Sequence, residues 1–455
     1  MKRLVLAVLA GTSVTLGAAA CDRFQRSDAI VLEGVTLIDG SGGPPVLDAV
    51  IVLRGGHVEA VARVNEIEIP RGATVLNLVG KTVIPGLIDA HAHVTEWTGP
   101  RFLAWGITTV RDLSDDSATA YTVKRRFNDG TALGPRVFTS GGVIDGQPPA
   151  SAAAEVVAGP DQGRRAVDRR AVSAADWLKV YTGVTPDVLA AILDEAESFR
   201  LPTAAHLGRT DALTAARAGA ASIEHLSGVV QAAVADPGAI VRAWDDPVAG
   251  RRAEARVWAQ LDSARLAAVA GALAETRVSV VPTLVATAAL ARLADTAFIE
   301  RRALADVPAA AAAVRDAAAF RARLGWTPAD AALYAAVRPA QALFLREFRK
   351  AGGQMGAGSD AASPLLIPGF SLHEELALLV EAGFAPLSTI ATATRRNAQL
   401  LRADSLGWIA PGKVADLVIL NARPDSSILA TRDIHLVISR GRVIDPDSLR
   451  ASWPR

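Results

Sequence analysis

Eight short apolar stretches, alternating along most of the chain with segments of helical spacing, constrain this sequence more than any other feature. They read "GLIDAHAH", "GITTVRDL", "GPRVFTSGG", "DWLKVYTG", "PTAAHLG", "ASIEHLSG", "RVSVVPTL" and "GQMGAGSD". Connecting segments such as "TPDVLAAILDEAESF" and "TDALTAARAGA" repeat apolar residues at helical intervals. This alternation predicts an α/β fold, a (β/α)8 barrel of the TIM type over residues 87–401. Such barrels carry their active site at the carboxyl ends of the strands. An open doubly wound sheet is the competing arrangement, and the absence of a Gly-rich phosphate fingerprint after the first strand argues against it. Stretches 229–276 and 286–351 are too long to be simple connections. They are expected to carry extra helices over the barrel mouth.

Both ends of the chain read differently from the middle. Residues 28–86 and 402–455 show short apolar runs broken by Gly- and Pro-bearing turns, as in "DAVIVLRGGHVEAVA" and "GKVADLVIL". They predict one small β-sandwich assembled from both ends. Residues 1–20, with Lys2 and Arg3 before an apolar run and then small residues, read as a signal peptide. Cys21, the sole cysteine, follows directly and resembles the acylated residue of bacterial lipoproteins. Ordinary cleavage after Ala20, leaving a free thiol, is the alternative. Both readings place the protein outside the cytoplasm, in a bacterial cell envelope or periplasm. Its only membrane attachment would be a lipid anchor at Cys21. A formal net charge of +1 gives no ground for a nucleic-acid partner. The expected partner is a small molecule or small peptide, and homo-oligomerisation is left open.

The chain has 7 histidines, and four of them end predicted strands: His91 and His93 on strand 1, His206 on strand 5 and His225 on strand 6. Strand side chains alternate between faces, so His91 and His93 point the same way and can share one metal ion. A lone His-x-His pair means little. Two further strand-end histidines and Asp360, at the end of strand 8, make it a candidate metal centre. Asp360 can also serve as general base beside a metal-bound water. On strand 4, alternation sets Trp177, Lys179 and Tyr181 on one face. If that face is the interior, the Lys179 ammonium is unfavourable beside a metal unless its charge changes, as it does on forming a carbamate. A snorkelling or ion-paired lysine is the plainer alternative.

"PGLIDAHAHV", followed by strand-end Lys179, His206, His225 and Asp360, resembles the amidohydrolase superfamily of metal-dependent hydrolases. The resemblance extends through "GITTVRDL" and "FSLHEELALLVEAGFAPLSTIATATRRNA" to the closing "GWIAPGKVADLVIL". It is nearest to the branch of imidazolonepropionase-like enzymes and bacterial Xaa-Pro dipeptidases. The resemblance implies that His91, His93 and Asp360 bind one metal and that His206 and His225 bind a second. Carboxylated Lys179 would bridge the two, which are expected to be Zn2+. It further implies that Asp360 takes the proton of the activated hydroxide and delivers it to the leaving nitrogen. Imidazolonepropionases lack the strand-4 lysine, so Lys179 favours the two-metal, peptidase-like side.

Together these readings predict an exported amidohydrolase cleaving a carbon–nitrogen bond, in a dipeptide or a cyclic amide. Ester or lactone hydrolysis and single-metal deamination are the enzymatic alternatives. A non-catalytic envelope lipoprotein is the non-enzymatic one. Tyr181 and His373, the latter in "SLHEEL", are candidate substrate-binding residues. Arg111 and Asp112 at the end of strand 2 are a candidate supporting pair, and His57 and His435 are assigned no role. The loop "SGGVIDGQPPASAA" lacks the histidine that many relatives carry there, which weakens any transfer of their substrates.

Overall fold

A computed structural model describes residues 28–114 and 116–453. The signal-peptide reading and Cys21 therefore lie outside the described residues. All eight strands are present: strand 1 Leu87–Ala92, strand 2 Ile107–Asp112, strand 3 Arg136–Thr139, strand 4 Leu178–Val180, strand 5 Thr203–Ala205, strand 6 Ser222–Glu224, strand 7 Ser279–Val281 and strand 8 Gln354–Met355. Consecutive strands from 1 to 3 and from 4 to 8 pair in parallel. The gap after strand 3 is bridged by a short extra strand, Val143–Asp145, which continues past two glycines to pair with strand 4. Closure comes where strand 8 meets strand 1. Ala90 donates to Ala357 O at 2.9 Å, and Asp360 donates its backbone N–H to His91 O at 2.8 Å. The result is the (β/α)8 barrel.

The glycines of "GQMGAGSD" make that closure sterically feasible. A Cβ on Gly358 would sit 2.7 Å from His91 Cβ and 2.9 Å from its backbone nitrogen, distances that side chains do not tolerate. Outside the strands, helices bury their apolar faces against the barrel. Helix Pro186–Ser198 starts with proline in its first turn, where the missing N–H costs nothing. It buries Val188, Leu189, Ile192 and Leu193. Helices Ala212–Arg217 and Ser263–Glu275 begin at Asp211 and Asp262, each accepting a first-turn amide. The main core is this apolar shell between strands and helices.

Two long excursions rise from the carboxyl ends of strands 6 and 7. The first carries helices Val229–Ala233, Gly238–Ala243, Pro247–Trp258 and Ser263–Glu275. The second runs from Leu284–Ala291 to the 23-residue helix Pro328–Lys350. Both lean over the barrel mouth, as their length suggests.

The chain ends combine into one sheet. Thr82–Pro85, just before the barrel, pairs antiparallel with Leu417–Leu420, just after it. Ile30–Leu37 and Ile434–Ser439 extend this sheet on either side to eight strands. A separate apolar core around Leu32, Ile51, Val83 and Ile419 fills it. The small β-domain predicted from both ends is present, with its strands joined in one continuous hydrogen-bonded sheet. Strand Ile30–Leu37 makes this continuity, pairing in parallel first with Thr74–Asn77 and then with Thr82–Pro85.

Candidate metal centre

Four of the six proposed ligands, His93, His206, His225 and Asp360, lie beyond the carboxyl end of a barrel strand, and His91 and Lys179 are the penultimate residues of theirs. His91, Lys179 and His206 are buried, whereas His93, His225 and Asp360 are partly covered. Ring centroids of His91 and His225 lie 4.4 Å apart, and those of His206 and His225 lie 4.3 Å apart. One nitrogen each of His91 and His225 and one oxygen of Asp360 fall within 4.8 Å of one another. His93 joins them through Asp360, its Nε2 lying 2.9 Å from Oδ1. Lys179 faces the same space, its Nζ 5.8 Å from the Tyr181 ring centre. The interior therefore takes the Lys179 face of strand 4.

Alternation along a strand does not by itself bring His225 here. Ser222 and Glu224 face the barrel interior, so His225 would point outward if the strand ran on. Instead the chain turns into the left-handed region at His225 (φ 61°) and Leu226 (φ 57°), folding the imidazole back over the rim. Thr283 (φ 46°), beyond strand 7, and Asp360 (φ 57°), beyond strand 8, do the same. Such backbone is unfavourable for residues with a Cβ and clusters at functional sites.

The electrostatics suit metal ligation, which requires neutral imidazoles and an ionised carboxylate. Burial holds the His91 imidazole down at about 4, and the Lys179 charge adds to the effect. Burial likewise pushes His206 and His225 well below the ordinary value, with neighbouring imidazoles contributing. Asp360 shows the opposite balance. Burial raises it, but His225, His93 and His91 together hold it well below the usual carboxylate range. His206 Nδ1 is buried with no hydrogen-bond partner among the described residues. An orphaned buried ring nitrogen beside this cluster fits a metal ion better than any protein partner present.

His91 and His225 are each held by a group that sequence reading does not single out. Glu224 Oε2 accepts from His91 Nδ1 at 2.6 Å, which leaves Nε2 with its lone pair toward the cluster. The other Glu224 oxygen accepts from Arg111 Nη2 at 2.8 Å and from Ser222 Oγ at 2.5 Å. Arg111 also donates to Ala90 O and lies 4.4 Å over the Trp177 ring. The arginine expected to pair with Asp112 thus pairs with Glu224. Asp112 instead accepts from Val94 N and Thr139 Oγ1. His225 Nδ1 lies 2.6 Å from Thr283 Oγ1. One signal for Glu224 is available in the sequence: it is the inward residue of "SIEH", two positions from Ser222.

Tyr181 lines the cavity, edge-on to His206 at 4.5 Å. His373 does not reach it, which corrects the expectation of a substrate-binding residue. Its side chain is buried in helix Phe370–Glu381, between Thr431 Oγ1 and Trp105 O, each at 2.9 Å. It ties the barrel to the C-terminal segment. Burial pushes its imidazole down to about 3 from 6.5. The unfolded chain therefore takes up the proton first. Stability from this site is complete above pH 6.5 and is lost as pH falls from 6.5 toward 3. His373→Gln should flatten that part of the acid-denaturation profile while leaving metal content unchanged, measured by thermal melts across pH and elemental analysis.

A model of the amidohydrolase family matches residues 82–444, which span the barrel and both joining strands of the terminal sheet. The chain belongs to the amidohydrolase family. Among solved structures, the bottromycin amidohydrolase is 24% identical, with a TM-score of 0.71 over 95% of this chain and 93% of that one. A Xaa-Pro dipeptidase with bound methionine is 20% identical, with a TM-score of 0.67 over 92% and 100%. Ochratoxinase of A. niger is 18% identical, with a TM-score of 0.65 over 92% and 96%. At these identities the likeness is one of fold. A curated relative, dihydroorotase of Anaeromyxobacter dehalogenans (strain 2CP-C), is 40% identical over 72 residues. That match spans only 16% of the dihydroorotase and 15% of this chain. Members of the amidohydrolase family bind divalent metals, and the cluster of His91, His225 and Asp360 is a candidate site for one.

Proposed function

We propose that this amidohydrolase hydrolyses a carbon–nitrogen bond, in a small peptide or cyclic amide, at a two-metal centre. The carrying observation is the convergence of His91, His225 and Asp360 within 4.8 Å, on the floor of a cavity that His206 and Lys179 also line. In this reading His91, His93 and Asp360 hold one divalent ion and His206 and His225 the other, with Zn2+ the expected metal. The Lys179 ammonium, losing one proton to become an amine and a second on taking up carbon dioxide, would become a carbamate anion able to serve both ions. The carbamate would be negative where the ammonium is positive, beside His91, His206 and His225, whose neutral form the Lys179 charge now helps to hold.

Bound there, divalent metal supplies Lewis acidity and a water acidic enough to attack a carbonyl near neutral pH. The chain's own residues do the rest. Asp360 is ionised and accepts a proton from the attacking water, then passes it to the departing nitrogen. His93 fixes the Asp360 carboxylate through Oδ1, Glu224 fixes the ring of His91, and Thr283 fixes that of His225. Tyr181, which lines the cavity, would meet the substrate carbonyl or carboxylate. Export by the N-terminal segment, with lipidation at Cys21, belongs to the same proposal. Among the described residues no helix is long and apolar enough to cross a membrane.

Chelation tests the reading. Stripping with 1,10-phenanthroline should abolish hydrolysis across a panel of dipeptides and cyclic amides, and added Zn2+ should restore it. Amide turnover that survives complete metal removal would contradict it. Activity confined to esters or lactones would keep the centre and change the bond.

A further inference from the structure

The cavity above the cluster is much larger than metal binding needs. Its volume is about 720 Å³, a size that encloses a whole small-molecule ligand. The two helical excursions supply its walls, with Trp244, Trp258 and Tyr334 among the apolar lining. Four charged side chains line it away from the cluster: Asp246, Arg251, Glu254 and Arg323.

Both of those acids are already engaged. Asp246 accepts from Val248 N and Ala249 N, capping helix Pro247–Trp258. Glu254 accepts from Gln231 Nε2 at 2.5 Å and from Trp244 Nε1 at 3.2 Å. The two arginines are not. Neither Arg251 nor Arg323 has a carboxylate within 4 Å among the described residues. Their near neighbours behave differently: Arg252 grips both oxygens of Asp330, and Arg321 donates to Leu293 O. The two arginines that line the cavity thus differ from Arg252 in having no carboxylate partner within that distance. Arg251 is partly covered, and its charge reaches His206, Tyr334 and Glu254. Arg323 is exposed at the rim and lies 5.1 Å from the centre of the Phe320 ring.

We propose that Arg251 and Arg323 form an anion subsite, so that the substrate is a carboxylate-bearing amide whose bulky apolar group lies against Trp244, Trp258 and Tyr334. An N-acylated amino acid or a short peptide with a free carboxylate has this chemistry. A guanidinium fork matches a planar carboxylate in two parallel hydrogen bonds, which a neutral amide cannot reproduce. Placing the scissile bond over the metal cluster rests on the hydrolase reading above. The subsite itself rests only on the cavity and its charges.

The test is a pair of direct titrations by calorimetry on the metal-loaded protein, with N-acetylphenylalanine and its neutral isostere N-acetylphenylalaninamide as probes. The carboxylate should bind about 10- to 100-fold more tightly than the amide, the range for a charge-assisted hydrogen bond inside a pocket. In Arg251→Gln that ratio should collapse toward 1. In Arg251→Lys, which keeps the charge on a similar fold, part of it should remain, and Arg323→Gln should lower it by a smaller factor. A wild-type ratio near 1 overturns the proposal. So does a ratio that persists in the Arg251→Gln/Arg323→Gln double variant, because the carboxylate would then be captured at the metals. Because the readout is binding, an intact ratio without turnover of any amide would count against the hydrolase reading and leave the subsite standing.

Discussion

Asp360→Asn is expected to lower kcat on the best amide substrate by roughly 10²- to 10⁴-fold, the range for removing a positioned general base. Asparagine keeps the shape of the side chain and its place beyond strand 8. It cannot ionise, and it meets His91, His93 and His225 as a neutral amide. Three imidazoles surround a carboxylate that burial alone would neutralise, so the negative charge at this point is what the site is built around. Metal loss could mimic the effect, and elemental analysis of the same sample separates the two. If metal content falls by a small factor and kcat by a hundred or more, the proton-transfer role stands. Unchanged turnover at full metal content would remove Asp360 as the base.

Glu224→Gln should produce the second large effect, and on two observables at once. Glu224 and Arg111 are both fully buried, and they form an ion pair at 2.8 Å. Removing one partner of a buried pair typically costs about 3–5 kcal/mol, because the other charge stays behind. The same carboxylate holds His91 in the tautomer that a metal requires, and losing such a support lowers metal affinity by about 10- to 100-fold. The double variant Arg111→Met/Glu224→Gln separates the effects. Stability, read from the denaturant midpoint, should largely recover, whereas metal affinity should stay low. If affinity recovered as well, Glu224 would be a packing element and not an orienting one.

Much of this centre is legible in the sequence because barrel geometry converts strand position into spatial position. A histidine that ends one strand and an aspartate that ends another must share a rim, however distant they are in the chain. Lys179 was legible in the same way, through the period-two alternation of "DWLKVY". Glu224 was less so, since an inward acid next to a strand-end histidine competes with that histidine for attention. Two effects escape one-dimensional patterns altogether. Left-handed turns at His225, Thr283 and Asp360 redirect side chains against the alternation that locates them. Pairing across the barrel, as between Arg111 and Glu224, depends on strand stagger, which strands only two to six residues long do not encode locally. His373 shows the reverse error. A histidine in the helix after strand 8 sits close to the site in sequence, yet its side chain faces Thr431 and Trp105. The substrate wall is the least legible part, because it comes from the two excursions over the mouth, whose side chains answer to their own packing.

The central claim is a carbamate-bridged pair of metals at the rim of this barrel. Its most direct test is metal content per chain, by elemental analysis of protein purified without chelator and supplied with bicarbonate, in the wild type and in Lys179→Ala. The account predicts two equivalents in the wild type and a clear fall in the variant. A single equivalent that does not respond to loss of Lys179 would contradict it.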